Sequence, residues 1–375
     1  MQRQNRLAVF LLPAVCWFWG TAVAFGAAAG DATCLGCHTE KEALHASIHG
    51  SLGCGDCHTT IRAFPHPEHV APVNCSTCHT TEGSGVSSSV HAHSSQQPCL
   101  SCHGDAHGIL AAKDPKSPVY ALNLPRTCGT CHGNQDFVKK HGLPDVYSEY
   151  IDSIHGFALT KDGLLVAATC SSCHGAHDIL TKKDPKSRTN RANIPATCGA
   201  CHQGIETAYF AGVHGKALKA GNPAVPACQN CHTAHQIADV REAAWKMKTA
   251  ATCGGCHKEK FQTYRDTLHA QVSSLGYVET AHCWDCHRAH DILPKSDPAS
   301  SVAQAHLVET CGKCHSGIGA SFVSYEPHAD PHNAQAYPAL HASAVFMNLL
   351  LASVLGFFIL HTILWFIRSR GGNPS

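Results

Sequence analysis

The sequence predicts a mainly α-helical chain with much irregular structure, folded around a core that its own side chains do not supply, and ending in one transmembrane helix. Three observations predict this. Cys-x-x-Cys-His recurs eleven times. Between positions 31 and 316 there are only about 26 residues per motif, too few for a conventional core. Residues 344–367 form an apolar run of 24.

The motifs are Cys34, Cys37 and His38; Cys54, Cys57 and His58; Cys75, Cys78 and His79; Cys99, Cys102 and His103; Cys128, Cys131 and His132; Cys170, Cys173 and His174; Cys198, Cys201 and His202; Cys228, Cys231 and His232; Cys253, Cys256 and His257; Cys283, Cys286 and His287; and Cys311, Cys314 and His315. They use 22 of the 23 cysteines. Two thiols three positions apart reach the two vinyl groups of a porphyrin, and the histidine that follows supplies an imidazole to the iron, so the motif is the attachment signal of c-type haem. Zinc knuckles also use Cys-x-x-Cys pairs but do not require histidine directly after the second cysteine, as all eleven have here. A disulfide framework would pair neighbouring cysteines locally and under strain. The expected architecture is a multihaem cytochrome c array of eleven covalent haems c, with the haems as the core.

Residues 1–29 read as a secretory signal, with Arg3 and Arg6 before an apolar stretch and an Ala-rich end; Cys16, the one cysteine outside the motifs, falls inside it. The run 344–367 would be about 36 Å long as a helix, enough to cross a bilayer. Arg368 and Arg370 follow it, while no Lys or Arg lies between Lys313 and the helix, so residues 368–375 form a cytoplasmic tail and the haem region lies on the periplasmic face. The protein charge is near neutral, 28 Lys+Arg against 27 Asp+Glu, which gives no basic surface for nucleic acid. Two propionates and a ferric centre per haem would make the loaded protein about ten charges negative.

Two motif types alternate between residues 91 and 328. The first type is followed by another histidine, as in Cys170-Ser-Ser-Cys-His-Gly-Ala-His177-Asp-Ile-Leu and Cys283-Trp-Asp-Cys-His-Arg-Ala-His290-Asp-Ile-Leu; the second reads Thr-Cys-Gly-x-Cys-His, from Thr127, Thr197, Thr252 and Thr310. Asp-Pro turns at 113–117, 183–187 and 296–300 separate the types. The expected organisation is a three-haem segment (30–82), a Gly/Ser-rich, partly flexible linker (83–98), an eight-haem domain of four two-haem modules (99–316), a linker (317–343), the membrane helix and the tail.

The sixth iron ligand separates carrier from catalyst. Nineteen histidines outside the motifs precede the membrane helix, more than the eleven needed, whereas only three methionines exist. Bis-histidine haems of low potential follow. The candidates for the second ligand are His45, His49, His69, His91, His107, His141, His155, His177, His214, His235, His269, His290 and His328, while His66, His93, His282 and His306 fall outside the repeat and are expected to be bystanders. A residue such as His177, three after its motif, cannot grip the opposite face of its own porphyrin and should serve a neighbouring haem. His361 lies inside the membrane run, where an ionisable residue suggests function: a haem b shared with a partner, or a quinone site.

With these repeats, a signal and an anchor, residues 31–316 resemble periplasmic multihaem cytochromes of the doubled Cys-x-x-Cys-His, cytochrome c3-like type. The resemblance implies a wire-like array in anaerobic respiration, taking electrons from the quinol pool through a membrane b-type cytochrome or quinol-oxidising subunit and passing them to periplasmic redox proteins or extracellular acceptors. The tail with His361, Trp365 and Arg368 is similar to anchors of cytochromes that work beside a b-type cytochrome. No catalytic residue is expected. The competing reading is a reductase of nitrite, hydroxylamine or sulfur oxyanions, which needs an open or lysine-bound iron, and no Cys-x-x-Cys-Lys occurs.

Overall fold

The computed structural model of the chain describes residues 31–39 and 41–371; residues 1–29 with Cys16, and the last four residues of the tail, lie outside them. Among the described residues there is no β-strand, and apart from the last helix all helices are short. Each motif type builds its own local structure for a reason visible in its side chains.

First-type motifs form single helical turns, Cys170–His174, Cys228–His232 and Cys283–His287. The third residue of the motif fixes the start. Asn230 Oδ1 accepts from the Ala227 N–H at 2.9 Å and Asp285 Oδ2 from the His282 N–H at 2.8 Å, while Ser172 Oγ accepts from the Thr169 N–H at 3.0 Å. The residue after the motif histidine then takes positive φ and ends the turn: Gly104 and Gly175, but Thr233 and Arg288 in the later repeats, at φ 65° and 66°. In second-type motifs the leading threonine ties the helix back to the preceding linker, with Thr127 Oγ1 donating to Pro118 O at 2.6 Å and Thr197 and Thr310 donating to Arg188 O and Ser301 O at 2.7 Å. The glycine inside the motif lets the following helix pack against it: a Cβ on Gly254 would run into Phe261.

The linkers are Asp-Pro turns in which Asp114 and Asp184 accept from the N–H two residues on at 2.8 Å, and Ser117, Ser187 and Ser300 are buried beneath them. Between Cys228 and Cys253 a helix, Ala243–Gly254, takes the place of that turn. The stretch expected as a flexible joint holds a helix, Thr80–Ser88, with Gly83 buried against Ser76. Serine side chains close its last turn, Ser87 Oγ donating to Gly83 O at 2.8 Å.

Successive repeats are joined by one recurring backbone hydrogen bond. Ile48 N–H donates to Ile109 O, Val90 to Ile179, Ile154 to Ile237 and Val213 to Ile292, at 2.7–2.8 Å. The first two of these tie the N-terminal motifs into the same register as the rest. Among the described residues buried apolar side chains are few: Val138, Leu159, Tyr209, Ala227, Ala270, Ala303 and Val323, with Pro125 and Pro195. So small a set would not stabilise a chain of this length, as the sequence anticipates for a fold organised on a large cofactor. The final helix, Pro338–Gly371, has 34 residues, about 51 Å, and is the one helix among the described residues long and apolar enough to cross a membrane.

Candidate haem-ligating site

Every motif histidine faces one other histidine. The ring centroids stand 5.8 Å apart for His38 and His66, 5.9 Å for His79 and His49, 6.2 Å for His58 and His107, and 6.0 Å for His315 and His269. They stand 6.1 Å apart for His103 with His177, His132 with His91, His174 with His235 and His202 with His155. The same 6.1 Å separates His232 and His290, His257 and His214, and His287 and His328.

This spacing has a physical meaning. An imidazole nitrogen binds a metal at about 2 Å and the ring centroid lies about 1.1 Å behind it, so two imidazoles on opposite sides of one iron have centroids about 6.2 Å apart. Ordinary aromatic contacts in this chain scatter more widely, from 4.3 Å for His282 on Trp284 to 6.4 Å for Phe137 on His132, and their distance depends on tilt. Among the eleven histidine pairs the spacing is nearly constant while the interplanar angle runs from 5° to 71°. A metal axis produces that combination, since it fixes distance and leaves rotation about itself free. Two facing imidazoles would hold a metal from opposite sides, and the porphyrin that the Cys-x-x-Cys-His motifs attach would supply its remaining ligands.

The protonation states fit. Burial, and then the facing imidazole, hold His174, His103 and His155 below the ordinary histidine value, so the neutral ring with its lone pair is favoured. Thr263 Oγ lies 3.0 Å from His328 Nδ1 and Glu149 Oε2 lies 3.5 Å from His235 Nδ1, which leaves the Nε2 atoms for a metal. None of the 22 motif cysteines is in a disulfide, which leaves them available for thioether attachment. Their order is continuous along the chain: the Cys128 thiol lies against Cys170, Cys198 against Cys228 and Cys253 against Cys283, while Cys102, Cys173 and Cys231 each neighbour both cysteines of the next motif. An orphaned donor fits the cofactor as well. Arg191 donates through Nη1 to Asn230 Oδ1 at 3.2 Å, but its buried Nε has no partner, and neither has Gln229 Oε1. A buried N–H of a charged group without a partner is costly, and a haem propionate is an acceptor such an array would supply.

Ten of the thirteen histidines singled out from the sequence face a motif histidine: His49, His91, His107, His155, His177, His214, His235, His269, His290 and His328. The other three do not. His141 packs on Phe137 at 4.4 Å, and His45 and His69 have no motif histidine opposite them among the described ring contacts. The eleventh partner is His66, which the repeat pattern sets aside; it faces His38 because it follows the first-type motif at Cys54 as His107 follows that at Cys99, on a loop eight residues long instead of four. His282 is 2 % exposed, stacked on Trp284 and 3.6 Å from Asp285, and His306 bonds Pro298 O at 3.0 Å, both away from any pair.

Nine of the eleven pairs obey one rule, and the pairs of His328 and His66 join its two series at the ends. The histidine after a second-type motif reaches forward to the next second-type motif, and the one after a first-type motif reaches back to the previous first-type motif. His49, His91, His155, His214 and His269 thus lead from His38 through His79, His132, His202 and His257 to His315. His328 crosses to His287; His290, His235, His177 and His107 lead back to His58, and His66 returns to His38. The circuit is closed, and the strict alternation of types extends to the N-terminal motifs.

Residues 221–262 match the family model of the doubled CXXCH motif. Comparison with curated proteins and with solved structures gives no match. The matched segment spans the motifs at Cys228 and Cys253, one first-type and one second-type unit. It supports a multihaem c-type cytochrome that carries haem covalently and transfers electrons.

Proposed function

We propose that the chain binds eleven haems c, each gripped by two histidines, and works as an electron conduit held at the outer face of the cytoplasmic membrane. The observation that carries this reading is that each of the eleven motif histidines has a second histidine opposite it at 5.8–6.2 Å. When bound, the haems supply iron centres that accept and release single electrons at low potential. The chain's residues do the rest. The paired histidines would hold each haem from both sides, leaving no position for a substrate, and pairing between repeats ties each site to the next. The neighbouring thiols keep consecutive attachment points together along the sequence.

The helix Pro338–Gly371 begins ten residues after His328, so the sites of His287 and His315 lie nearest the anchor in sequence and those of His38 and His58 farthest from it. This order supports entry of electrons at the anchored end, from the quinol pool through a b-type cytochrome partner for which His361 would supply a haem b ligand or line the quinone site. Exit would be at the N-terminal end, to periplasmic or extracellular acceptors in anaerobic respiration. Adding carbon monoxide, nitrite or hydroxylamine to the reduced full-length protein tests the conduit. Unchanged spectra with all added electrons recovered by an external acceptor are expected; a haem that binds the additive and turns it over would replace the conduit with a reductase.

A further inference from the structure

The eleven histidine pairs differ in how their ring planes are turned, and the difference follows the circuit. Where the second histidine rides a loop after a first-type motif, or is His328, the planes are close to parallel: 5° for His38 and His66, 29° for His58 and His107, and 6° for His103 and His177. They are 5° apart for His174 and His235, 14° for His232 and His290, and 35° for His287 and His328. Where it follows a second-type motif, the planes are turned: 65° for His79 and His49, 71° for His132 and His91, 38° for His202 and His155, 42° for His257 and His214, and 53° for His315 and His269. No member of the first group exceeds the smallest angle of the second.

The backbone accounts for the split. In the second group the histidine sits in a recurring turn or helix start, Ser47-Ile-His49, Ser89-Val-His91, Ser153-Ile-His155, Gly212-Val-His214 and Thr267-Leu-His269. Ser153 and Thr267 cap it from their side chains, and Ser47 and Ser89 accept from the His49 and His91 N–H at 3.1 Å. After Gly156 and Gly215 the helix presses on Tyr150 O and Tyr209 O so closely that a Cβ there would collide. Such histidines take their ring orientation from a fixed helix start. Those of the first group lie outside helices, most of them in bends or turns, and three rings are instead oriented by a contact at Nδ1: His328 with Thr263, His235 with Glu149 and His66 with Pro67 O.

We propose that the chain thereby builds two electronic classes of iron at the ends of this range, five whose imidazoles lie within 29° of parallel and three crossed at 53° to 71°, with three intermediate between them, and that the crossed class has the higher potential. The inference rests on the ligation proposed above. Imidazole π orbitals interact with the iron dπ orbitals perpendicular to the ring plane. Parallel rings act on the same orbital and split the dπ pair; crossed rings act on both and leave the pair nearly degenerate. Ferric low-spin iron has one hole in this set and gains from the splitting, whereas ferrous iron has the set full and does not. Parallel pairs therefore favour the ferric state, and crossed pairs are reduced first. By position these are the sites of His79, His132 and His315.

Low-temperature electron paramagnetic resonance of the full-length holoprotein, poised at a series of potentials, tests this. The expected spectrum holds rhombic low-spin signals from about five haems and strongly anisotropic ones with a single large g value from about three, with the other three intermediate, and on reduction the anisotropic class disappears first. His177→Met should remove intensity from the rhombic class alone and His91→Met from the anisotropic class alone. If eleven low-spin haems are counted but give one signal type, or the rhombic class is reduced first, the two-class inference is wrong while the conduit stands; haems missing or high-spin would remove the conduit itself.

Discussion

Replacing His66 by alanine gives the most discriminating outcome for the ligand assignment, because periodicity in the sequence and the structure disagree about it. In the structure His66 stands 5.8 Å from His38, and its Nδ1 is engaged with Pro67 O at 2.7 Å, leaving Nε2 for the iron. Its removal should leave one haem with a single protein ligand, so that one of eleven irons, about 9 % of the total, becomes high-spin or water-bound. His45 and His69 lie nearby in sequence but, like His141, face no motif histidine, so alanine at any of the three should convert none. The assay is quantitative high-spin signal in electron paramagnetic resonance, normalised to haem by pyridine haemochrome, on each variant. The opposite result, with His66→Ala fully low-spin and His69→Ala or His45→Ala showing one high-spin haem, would refute the use of ring spacing to assign ligands. Equal conversion in all variants would indicate a general loosening of the N-terminal segment, which retention of the other ten low-spin haems excludes.

Thr233 and Arg288 occupy a backbone region that glycine alone adopts freely, at φ 65° and 66° with ψ near 180°; glycine at either should raise stability by about 1 kcal/mol, read as a higher midpoint in denaturant. Thr197→Val removes the 2.7 Å tie to Arg188 O and should cost about 1 kcal/mol by the same measurement. Leu159 is fully buried in a chain with few buried apolar side chains, so Leu159→Ala should cost about 2–5 kcal/mol. Arg191→Gln should lower the potential of one haem in a redox titration by less than about 59 mV, a tenfold change in the one-electron ratio, with Arg191→Lys closer to the parent. An unchanged titration in Arg191→Gln would mean that no propionate meets the guanidinium.

Much of this organisation is legible in the residues. The eleven motifs and the apolar run announce themselves by spacing and composition alone, because covalent attachment demands a strict local pattern and membrane crossing demands length. The helical, strand-free fold follows from the scarcity of chain per motif. The second histidines are harder, since partners stand 28 to 74 residues apart in sequence, from His38 and His66 to His103 and His177, and only three-dimensional register pairs them. A local signal was nevertheless available: Ser, Thr or Gly, then Ile, Val or Leu, then His, then Gly or Ala marks His49, His91, His155, His214 and His269 and excludes His45, His69 and His141. His66 carries no such signal. Its pairing depends on the alternation of motif types continuing to the N-terminus, which the Gly/Ser-rich composition of residues 83–97 conceals. That composition suggests a flexible joint, yet serine side chains close the helix Thr80–Ser88 internally and Gly83 allows Ser76 to approach. Arg191 likewise has meaning only once its unpaired Nε is seen, since the same repeat position holds Ala121 and Gln304 elsewhere.

The most direct measurement of the central claim is the intact mass of the full-length protein, purified under oxidised conditions and combined with iron analysis. The account predicts a mass increased by eleven covalent haems and eleven irons per chain, with no thiol left to alkylate in the motifs. Fewer haems, with motif cysteines that still react as thiols, or zinc in place of iron, would contradict it.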